Sequence, residues 1–316
     1  MSVSPRSIWD SKHSGYMMDA ATILLQLVLS GILVGSVYGL IGMGFVITYR
    51  SANVFNLAYG QFVMFGAFIA WSFIGSPREP RLPLPIALIL TLIAVILFGL
   101  AVEQLLFRRM IGRPMHATFI LTLGIMALLH GVAMLIWGPS VHVLAETIPR
   151  GPIHLGSIVV SQEYVWSFFL AVVIVLALVL MFQRTRLGLA MRAAYDNQVA
   201  ARCLGVSVKK NAQITWGLAA VIATLGGILI GTVNGVSTTL GDLVMIVLAV
   251  VLIGGLDSLI GCVLGGLILA IGMNLSSYYV GPHLPGVEGI FSMALILIVL
   301  LVRPSGLLGT RPIERV

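Results

Sequence analysis

Long apolar runs separated by short polar segments make up most of the chain. A helix needs about 20 predominantly apolar residues to cross a bilayer, and most of the runs reach that length. The runs cover residues 21–49, 53–74, 84–107, 116–137, 163–183, 211–233, 243–256, 259–280 and 286–302. The seventh run is short, so we expect a half-helix or a re-entrant segment there. The pattern predicts an all-α integral membrane protein with about eight or nine transmembrane helices.

The composition excludes an ordinary soluble protein. Of the 316 residues, 59% are hydrophobic and 9% are charged, whereas soluble domains contain about 25% charged residues. The apolar run that starts at Ala21 is too long for the apolar core of a signal peptide, so we interpret it as an uncleaved first span. The chain thus divides into a polar N-terminal segment (1–20), a transmembrane domain (21–303) and a C-terminal tail (304–316).

The distribution of basic residues predicts the topology. The 18 Lys and Arg residues exceed the 11 Asp and Glu residues, which is typical of cytoplasmic loops that face anionic lipid rather than nucleic acid. Three basic clusters follow the third span, the fifth span and the last span, and an even number of spans separates them. All three can therefore face the cytoplasm. The N-terminus is then outside, the C-terminus inside, and the loop 138–162 outside.

Two segments of the chain resemble two later ones. Residues 31–39 and 227–235 carry glycines at the same three positions, and residues 60–64 are similar to residues 241–245. Five spans separate the copies, so the copies run in opposite directions through the membrane. Inverted repeats are typical of transporters, with the pathway at the repeat interface. The alternative is that glycine-rich helices resemble each other because small residues allow close helix packing.

The loop 184–210 is the longest polar stretch that we expect to face the cytoplasm, apart from the termini. Helix-forming residues predict one short helix over residues 187–204, with Arg192 and Asp196 paired on one face and Gly205 as the C-terminal cap. Alanines give this helix a small, flat surface, which suits docking into a groove on a partner protein. The alternative is an amphipathic helix on the lipid headgroups.

These residues resemble a known family. The cytoplasmic loop is similar to the coupling loop of ABC-importer permeases of the branched-chain amino-acid type, and the resemblance extends over roughly residues 22–310. It implies an ATPase-coupling role for Gly188, Arg192, Ala193, Asp196, Ala200, Ala201 and Gly205. Further matching segments are residues 35–40, 56–61, 254–261 and 303–309, together with Glu103 before Arg108.

The sequence departs from the family pattern near the second span. Tyr59 stands where the family usually has His, and Gln61 stands where it has an acid. Arg109 replaces a usual proline after Arg108. Because the first departure lies where we expect the pathway, the substrate can be a branched-chain amino acid or another small polar solute that the wider family handles, such as urea, a short amide or an organic acid.

The resemblance also implies a set of partners. The chain is similar to the shorter of two permease subunits, which implies a second permease subunit, two cytoplasmic ATPase subunits and a periplasmic or surface-anchored substrate-binding protein. It also implies the bacterial cytoplasmic membrane as the location. The chain contains no GxxxxGK[ST] phosphate-binding loop, so we expect ATP hydrolysis on other chains and no catalytic residue here.

Polar residues at the breaks of the two repeats are the candidates for the translocation pathway. They are Asn56, Tyr59, Gln61, Thr239 and Asp242. An equally good interpretation is that these residues cap helix ends. The membrane acids Glu103, Asp242 and Asp257 leave a stand-alone secondary transporter open, and a small-solute channel is a further alternative. No His or Cys spacing predicts a metal site, and we expect no cofactor.

Overall fold

The computed structural model describes residues 20–52, 55–110, 114–145, 148–149, 151–155 and 158–309. Most of the predicted N-terminal segment (1–20) and residues 310–316 of the predicted tail lie outside the described residues, as do Arg113 and Arg150.

Eleven α-helices form the described fold. They are α1 (Ala20–Ala52), α2 (Tyr59–Ile74), α3 (Leu84–Leu105), α4 (Met115–Trp137), α5 (Gln162–Arg184), α6 (Arg186–Asp196), α7 (Gln198–Cys203), α8 (Val208–Asn234), α9 (Leu243–Gly254), α10 (Leu259–Tyr279) and α11 (Val287–Val302). Short 3₁₀ helices at Phe107–Met110 and Thr238–Asp242 follow α3 and precede α9.

Helices occupy all nine predicted spans. Six of them are long and apolar enough to cross a membrane, and three apolar helices are shorter: α2, α9 with its preceding 3₁₀ turn, and α11. The prediction of an all-α membrane protein is therefore confirmed. The seventh span is the shortest of the nine, with 12 residues in α9, as its short apolar run predicted.

A small β-hairpin is the exception to the helical architecture. Strands β1 (Pro152–Leu155) and β2 (Ile158–Ser161) pair antiparallel, with Pro152 opposite Ser161. The sequence analysis did not predict this hairpin in the loop 138–162. The hairpin leads directly into α5, and the carboxamide of Gln26 on α1 donates a hydrogen bond to the backbone oxygen of Val159 at 3.3 Å.

Helix α8 is the central helix of the bundle. Within its most apolar 18-residue window, 78% of the residues are buried, against 22–33% for the other five long helices. It packs against α1, α2 and α3. Two glycines on neighbouring helices permit this close approach, because a side chain on Gly66 would overlap Thr224 and one on Gly99 would crowd Trp216 and Ala220. The outer helices leave large apolar side chains exposed, as lipid-facing helices do.

The described residues of the three basic clusters lie at one end of the bundle, which we call the basic end. Phe107, next to Arg108, stacks on Trp216 near the start of α8 with ring centroids 4.1 Å apart. Tyr195 of α6 and Arg303 after α11 line the same groove. At the opposite end, the backbones of His142 and Val236 exchange two hydrogen bonds of 2.8 and 2.7 Å. These contacts define the two ends of the bundle, and the orientation of the basic end in the membrane stays a prediction.

The helices of the two repeats run in opposite directions. Close contacts pair Ile41 with Gly226 and Gly44 with Ile222, so α1 and α8 are antiparallel. The glycines at positions 31, 35 and 39 pack against α10, at Ile271, Gly266 and Val263. The stripe of small residues in the first copy therefore serves helix packing, and the antiparallel arrangement is the one that an inverted repeat requires.

A buried ion pair fixes the end of α3. Glu103 is 2% exposed, and its carboxylate accepts hydrogen bonds from the Nε and Nη2 atoms of Arg108 at 3.2 and 2.9 Å. This pairing neutralises a carboxylate that burial would otherwise strongly destabilise.

Residues 303–309 fold back onto the end of α9. The backbone N–H groups of Leu307 and Leu308 donate to the carbonyl oxygens of Ile253 and Gly254 at 2.8 and 3.0 Å. Gly306, with φ +79°, lies against Gly255, so neither position has room for a side chain. The segment satisfies two of the carbonyl groups that every helix leaves unpaired at its C-terminus.

Candidate functional site

Two half-helices meet inside the bundle. Helix α2 has 16 residues and α9 has 12, so at 1.5 Å per residue they measure about 24 and 18 Å. Each is shorter than the roughly 30 Å hydrocarbon core of a bilayer. Their first turns are in contact, because a side chain on Gly60 would overlap the carbonyl oxygen of Gly241. From this contact α2 runs to the opposite end and α9 runs to the basic end.

The polar side chains at the start of α2 are buried. Gln61 is 0% exposed and Asn56 is 2% exposed. The side-chain nitrogen and oxygen of both residues have no hydrogen-bond partner among the described residues. Leaving such a group unpaired in the interior costs about 1–3 kcal/mol. These two carboxamides therefore hold unused donors and acceptors that a polar solute can bind.

Tyr59 is the first residue of α2, and its side chain faces α8. Its ring is fully buried, and its hydroxyl donates a hydrogen bond to the backbone oxygen of Ala219 at 3.3 Å. The ring also meets Phe45 edge to face and stacks near Phe62. Tyr59 is thus packed between α1, α2 and α8, and its hydroxyl already has a partner.

The two predicted pathway residues of the second repeat lie in a different environment. Thr239 and Asp242 are exposed in the single chain, and Thr239 shares a hydrogen bond of 2.7 Å with Ser237. Gln61 lies against Gly241, the neighbour of Asp242. The structure therefore brings the buried Gln61 of α2 beside the exposed 3₁₀ turn that precedes α9. Their role in a pathway stays a prediction.

The polar loop contains two helices where the sequence predicted one. Helix α6 ends at Asp196 and α7 begins at Gln198. The side chain of Asn197 between them accepts hydrogen bonds from the backbone N–H groups of Val199 and Ala200, both at 3.0 Å. Asn197 thus acts as a new N-cap, a role that asparagine favours, and it divides the helix. The prediction of one continuous helix over residues 187–204 is wrong for this reason.

Gly205 ends α7 as predicted. Its φ is +84°, and its N–H bonds to the Arg202 oxygen at 3.0 Å while the Val206 N–H bonds to the Ala201 oxygen at 2.9 Å. This pair of bonds is a Schellman motif, which glycine permits because it lacks a Cβ. Nothing lies within 4 Å of the place where a Cβ on Gly205 would be. Gly205 therefore faces open space.

The predicted coupling residues divide into two groups. Arg192, Asp196, Ala200 and Gly205 are exposed, and Ala193 is half-buried. Gly188 and Ala201 are buried, and Gly188 lies so close to Phe182 of α5 that a side chain would overlap the backbone there. Gly188 therefore allows α6 to pack on α5 and does not itself present a surface.

The outward side of α6 and α7 forms an exposed apolar surface, which we call the docking surface. Leu189, Val199 and Leu204 are 60%, 71% and 82% exposed. The predicted pairing of Arg192 with Asp196 is absent, since the salt bridge found among the described residues is Arg108–Glu103. Arg192 lines a small cavity with Arg50 instead, and Leu189, Val199 and Leu204 form the exposed apolar surface. Such a surface is suited to contact with a protein.

A cluster around Arg50 at the basic end was not predicted from the sequence. The guanidinium of Arg50, at the end of α1, lies over the ring of Tyr195 at 5.2 Å from the centroid, and its Nη2 donates to the backbone oxygen of Asp257. Burial, and then the Asp257 carboxylate, raise the pKa of Tyr195. Because these residues are far apart in the sequence and belong to separate segments, no local pattern reveals the cluster.

A groove of about 790 Å³ lies beside this cluster. It runs between α6, the end of α9 and the segment after α11, and its lining includes Tyr49, Tyr195, Asp257, Arg303, Ser305 and Gly309. The described residues contain no group of three or more His, Cys, Asp or Glu side chains that could hold a metal ion.

Comparison with known proteins places this architecture in a family. Residues 27–300 match the family model described as "Branched-chain amino acid transport system / permease component". The high-affinity branched-chain amino acid transport system permease protein BraD of Pseudomonas aeruginosa is 26% identical over 304 residues, which are 92% of this chain and 98% of BraD. The corresponding protein LivH of Salmonella typhimurium is 27% identical, over 95% of this chain and 100% of LivH.

More distant likenesses extend the comparison. The probable branched-chain amino acid transport permease protein LivH of Methanocaldococcus jannaschii is 25% identical over 90% of this chain and 92% of its own length. A chain of "PsaBC from Streptococcus pneumoniae in complex with Fab" superposes with a TM-score of 0.46 and 15% identity, over 95% of this chain and 97% of that chain. The family model covers most of the chain. This multi-pass membrane protein therefore belongs to the branched-chain amino acid transport permease family.

Proposed function

We propose that the chain is a permease subunit of an ATP-driven ABC importer for branched-chain amino acids or a related small polar solute. In this proposal it works with a second permease subunit, two cytoplasmic ATPase subunits and a periplasmic or surface-anchored binding protein. The assembly resides in the bacterial cytoplasmic membrane, with the basic end inside. The relatives named as branched-chain amino acid permeases support the substrate class.

One observation carries the proposal: the docking surface is exposed and apolar, yet it rests on a rigid base. Val199 and Leu204 are 71% and 82% exposed, while Met191, Ala194 and Ala201 below them are buried. The Asn197 cap and the Gly205 turn fix where α7 begins and ends, and thereby the angle between α6 and α7. A rigid apolar surface at a membrane boundary is suited to a stable protein partner. We propose that this partner is an ATPase subunit.

The half-helix contact supplies a route for the solute. The N-termini of α2 and α9 meet, so the positive ends of their helix dipoles lie close together. Gln61 and Asn56 add unpaired carboxamides there, and Asp242 adds an exposed carboxylate. Broken helices at the interface of inverted repeats are the usual location of substrate sites in transporters. We therefore propose that motion of α2 against α9 opens the pathway.

Purification of the tagged chain from its native membrane tests the proposal. Gentle extraction should recover two ATPase subunits and a second permease with the chain. The Val199→Glu variant, which places a charge on the docking surface, should lose the ATPases. Its matched control is Val159→Glu, which makes the same change at an exposed valine at the opposite end.

The outcomes separate the classes of transporter. A chain that purifies alone from cells with active uptake would contradict the importer and favour a stand-alone carrier or a channel. Equal recovery of the ATPases with Val199→Glu and Val159→Glu would contradict the location of the docking surface. The associated binding protein, once recovered, can be tested with leucine, urea and short amides to identify the solute.

A further inference from the structure

Arg50 joins three elements at the basic end. It lies in the last turn of α1, and its guanidinium covers the ring of Tyr195 on α6 with a distance of 5.2 Å to the ring centroid. Its Nη2 also donates to the backbone oxygen of Asp257, in the turn between α9 and α10. One half-buried side chain thus links the helix below the docking surface to the spans on both sides of that turn.

The linked spans are those that shape the half-helix contact. The Asp257 turn directly follows α9, whose first residues meet α2 at Gly60. Helix α1 packs along α10 and runs antiparallel to α8. Two contacts of Arg50 therefore connect α6 to the turn that follows α9.

The contact between Arg50 and Tyr195 can persist while the two side chains move relative to each other. A guanidinium over an aromatic face can slide while the attraction persists, because the ring attracts the cation over its whole face. The Nε atom of Arg50 is buried and has no hydrogen-bond partner among the described residues. A donor is thus available for a second arrangement. Arg192 and Asp257 line the small cavity of about 190 Å³ beside Arg50 and are the other charges facing it.

We propose that Arg50 is a positioning residue that transmits movement of the docking helix α6 to the half-helix α9. The proposal rests on the proposed function, because it needs an ATPase that moves α6. In it, Tyr195 is the contact that receives the movement and the backbone of Asp257 is the contact that passes the movement on. Without Arg50 the ATPase would still bind, but the start of α9 would no longer respond to it.

The experiment measures the response at the start of α9. Met245 is 48% exposed in the single chain, three residues after Asp242, and the labelling rate of Met245→Cys measures how far water reaches it. The exposed native thiol is removed first with Cys203→Ser. The purified complex is labelled with a polar maleimide, with and without ATP plus vanadate. The ATP-dependent change in labelling rate is the readout, and it needs no knowledge of the transported solute.

Three variants separate transmission from simple packing. Arg50→Lys keeps the positive charge but loses the planar group that covers the ring, and Tyr195→Leu removes the ring. Tyr195→Phe keeps the ring and is the matched control. We expect Arg50→Lys and Tyr195→Leu to reduce the ATP-dependent change by about fivefold or more, the lower range for coupling between sites, while Tyr195→Phe behaves as the parent. The ATPases should co-purify with all three.

Other results would overturn the inference. A parental response in both Arg50→Lys and Tyr195→Leu would show that the movement takes another route. Loss of the ATPases or of the folded chain in both variants would show that the contact only holds the structure together. Failure of the proposed function is recognised separately, because the parent complex would then contain no ATPase and show no response to ATP.

Discussion

Gly60 and Gly241 lie backbone to backbone, at corresponding positions of the two repeats. A side chain on either residue would overlap the other segment: the carbonyl oxygen of Gly241 in one case and the carboxamide of Gln61 in the other. The contact occurs where α2 begins and in the 3₁₀ turn that leads into α9. The two copies of the repeat that the sequence indicates are therefore in contact where their short helices, α2 and α9, begin.

Substitution of Gly60 by alanine should destabilise the protein. The added methyl group overlaps backbone that cannot rotate away, so we expect a loss of about 1–3 kcal/mol, typical of overpacking. Gly124→Ala in α4 is the matched control, because nothing lies within 4 Å of its added Cβ and alanine favours helix. Thermal unfolding in detergent measures both. An equal unfolding temperature for Gly60→Ala and the parent would contradict the close contact.

Gln61→Met should separate stability from transport. The change removes two unpaired buried groups and keeps a similar length, so we expect the unfolding temperature to stay the same or rise. Uptake of the solute by whole cells should fall by about tenfold, corresponding to roughly 1.4 kcal/mol of lost interaction.

Thr91→Val serves as the control for Gln61→Met. It also removes a buried polar group, but Thr91 lies on α3 and bonds within its own helix to Ala87. We expect unchanged uptake in this variant. If Gln61→Met transports at the parental rate, the carboxamide does not line the pathway.

The sequence predicted the transmembrane helices because bilayer thickness sets their length. All nine spans agree with helices to within three residues at each end, except at the start of α2, where the difference is six. The start of α2 differs most from the predicted boundary, because residues 55–58 form a turn that carries the chain into the bundle before Tyr59. Apolar composition cannot reveal that turn.

Three features of the candidate site could be found only from the structure. The division of the polar loop depends on the Asn197 side chain capping α7, which competed with the helix-forming residues around it. Gly188 matched a coupling motif but is buried against α5. Arg50, Tyr195 and Asp257 come together only through tertiary packing. Local sequence patterns predict helices and caps, whereas contacts between distant segments stay hidden.

A bulky acid at Gly205 should disrupt coupling rather than folding. The Gly205 position faces open space, so Gly205→Glu fits sterically, and its left-handed backbone costs about 1–2 kcal/mol for an ordinary residue. We expect uptake to be lost while the chain still purifies as a folded species. Gly205→Asn is the control, because asparagine tolerates this backbone conformation and adds no charge. Parental uptake in Gly205→Glu would exclude Gly205 from the coupling surface.

Removal of Arg108 should cost more than removal of its neighbour. Arg108→Gln leaves the buried Glu103 carboxylate without a cation, and breaking such a pair costs about 3–5 kcal/mol. Because the Arg108 side chain is 29% exposed, we expect the lower end of that range. Arg109→Gln, at an exposed position, should have little effect. Denaturation in detergent compares the two, and addition of Glu103→Gln to Arg108→Gln should restore part of the loss.

The segment that covers the end of α9 has a consequence for biosynthesis. The buried carbonyl groups of Ile253 and Gly254 find their partners in Leu307 and Leu308, which the ribosome makes only after α10 and α11. Until those residues emerge, α9 carries two unpaired carbonyls in the interior, and each is costly. The half-helix α9 therefore gains its last two hydrogen-bond partners only after α11 has been made. A nascent chain that stops short of Leu307 presents membrane proteases with an unfinished α9.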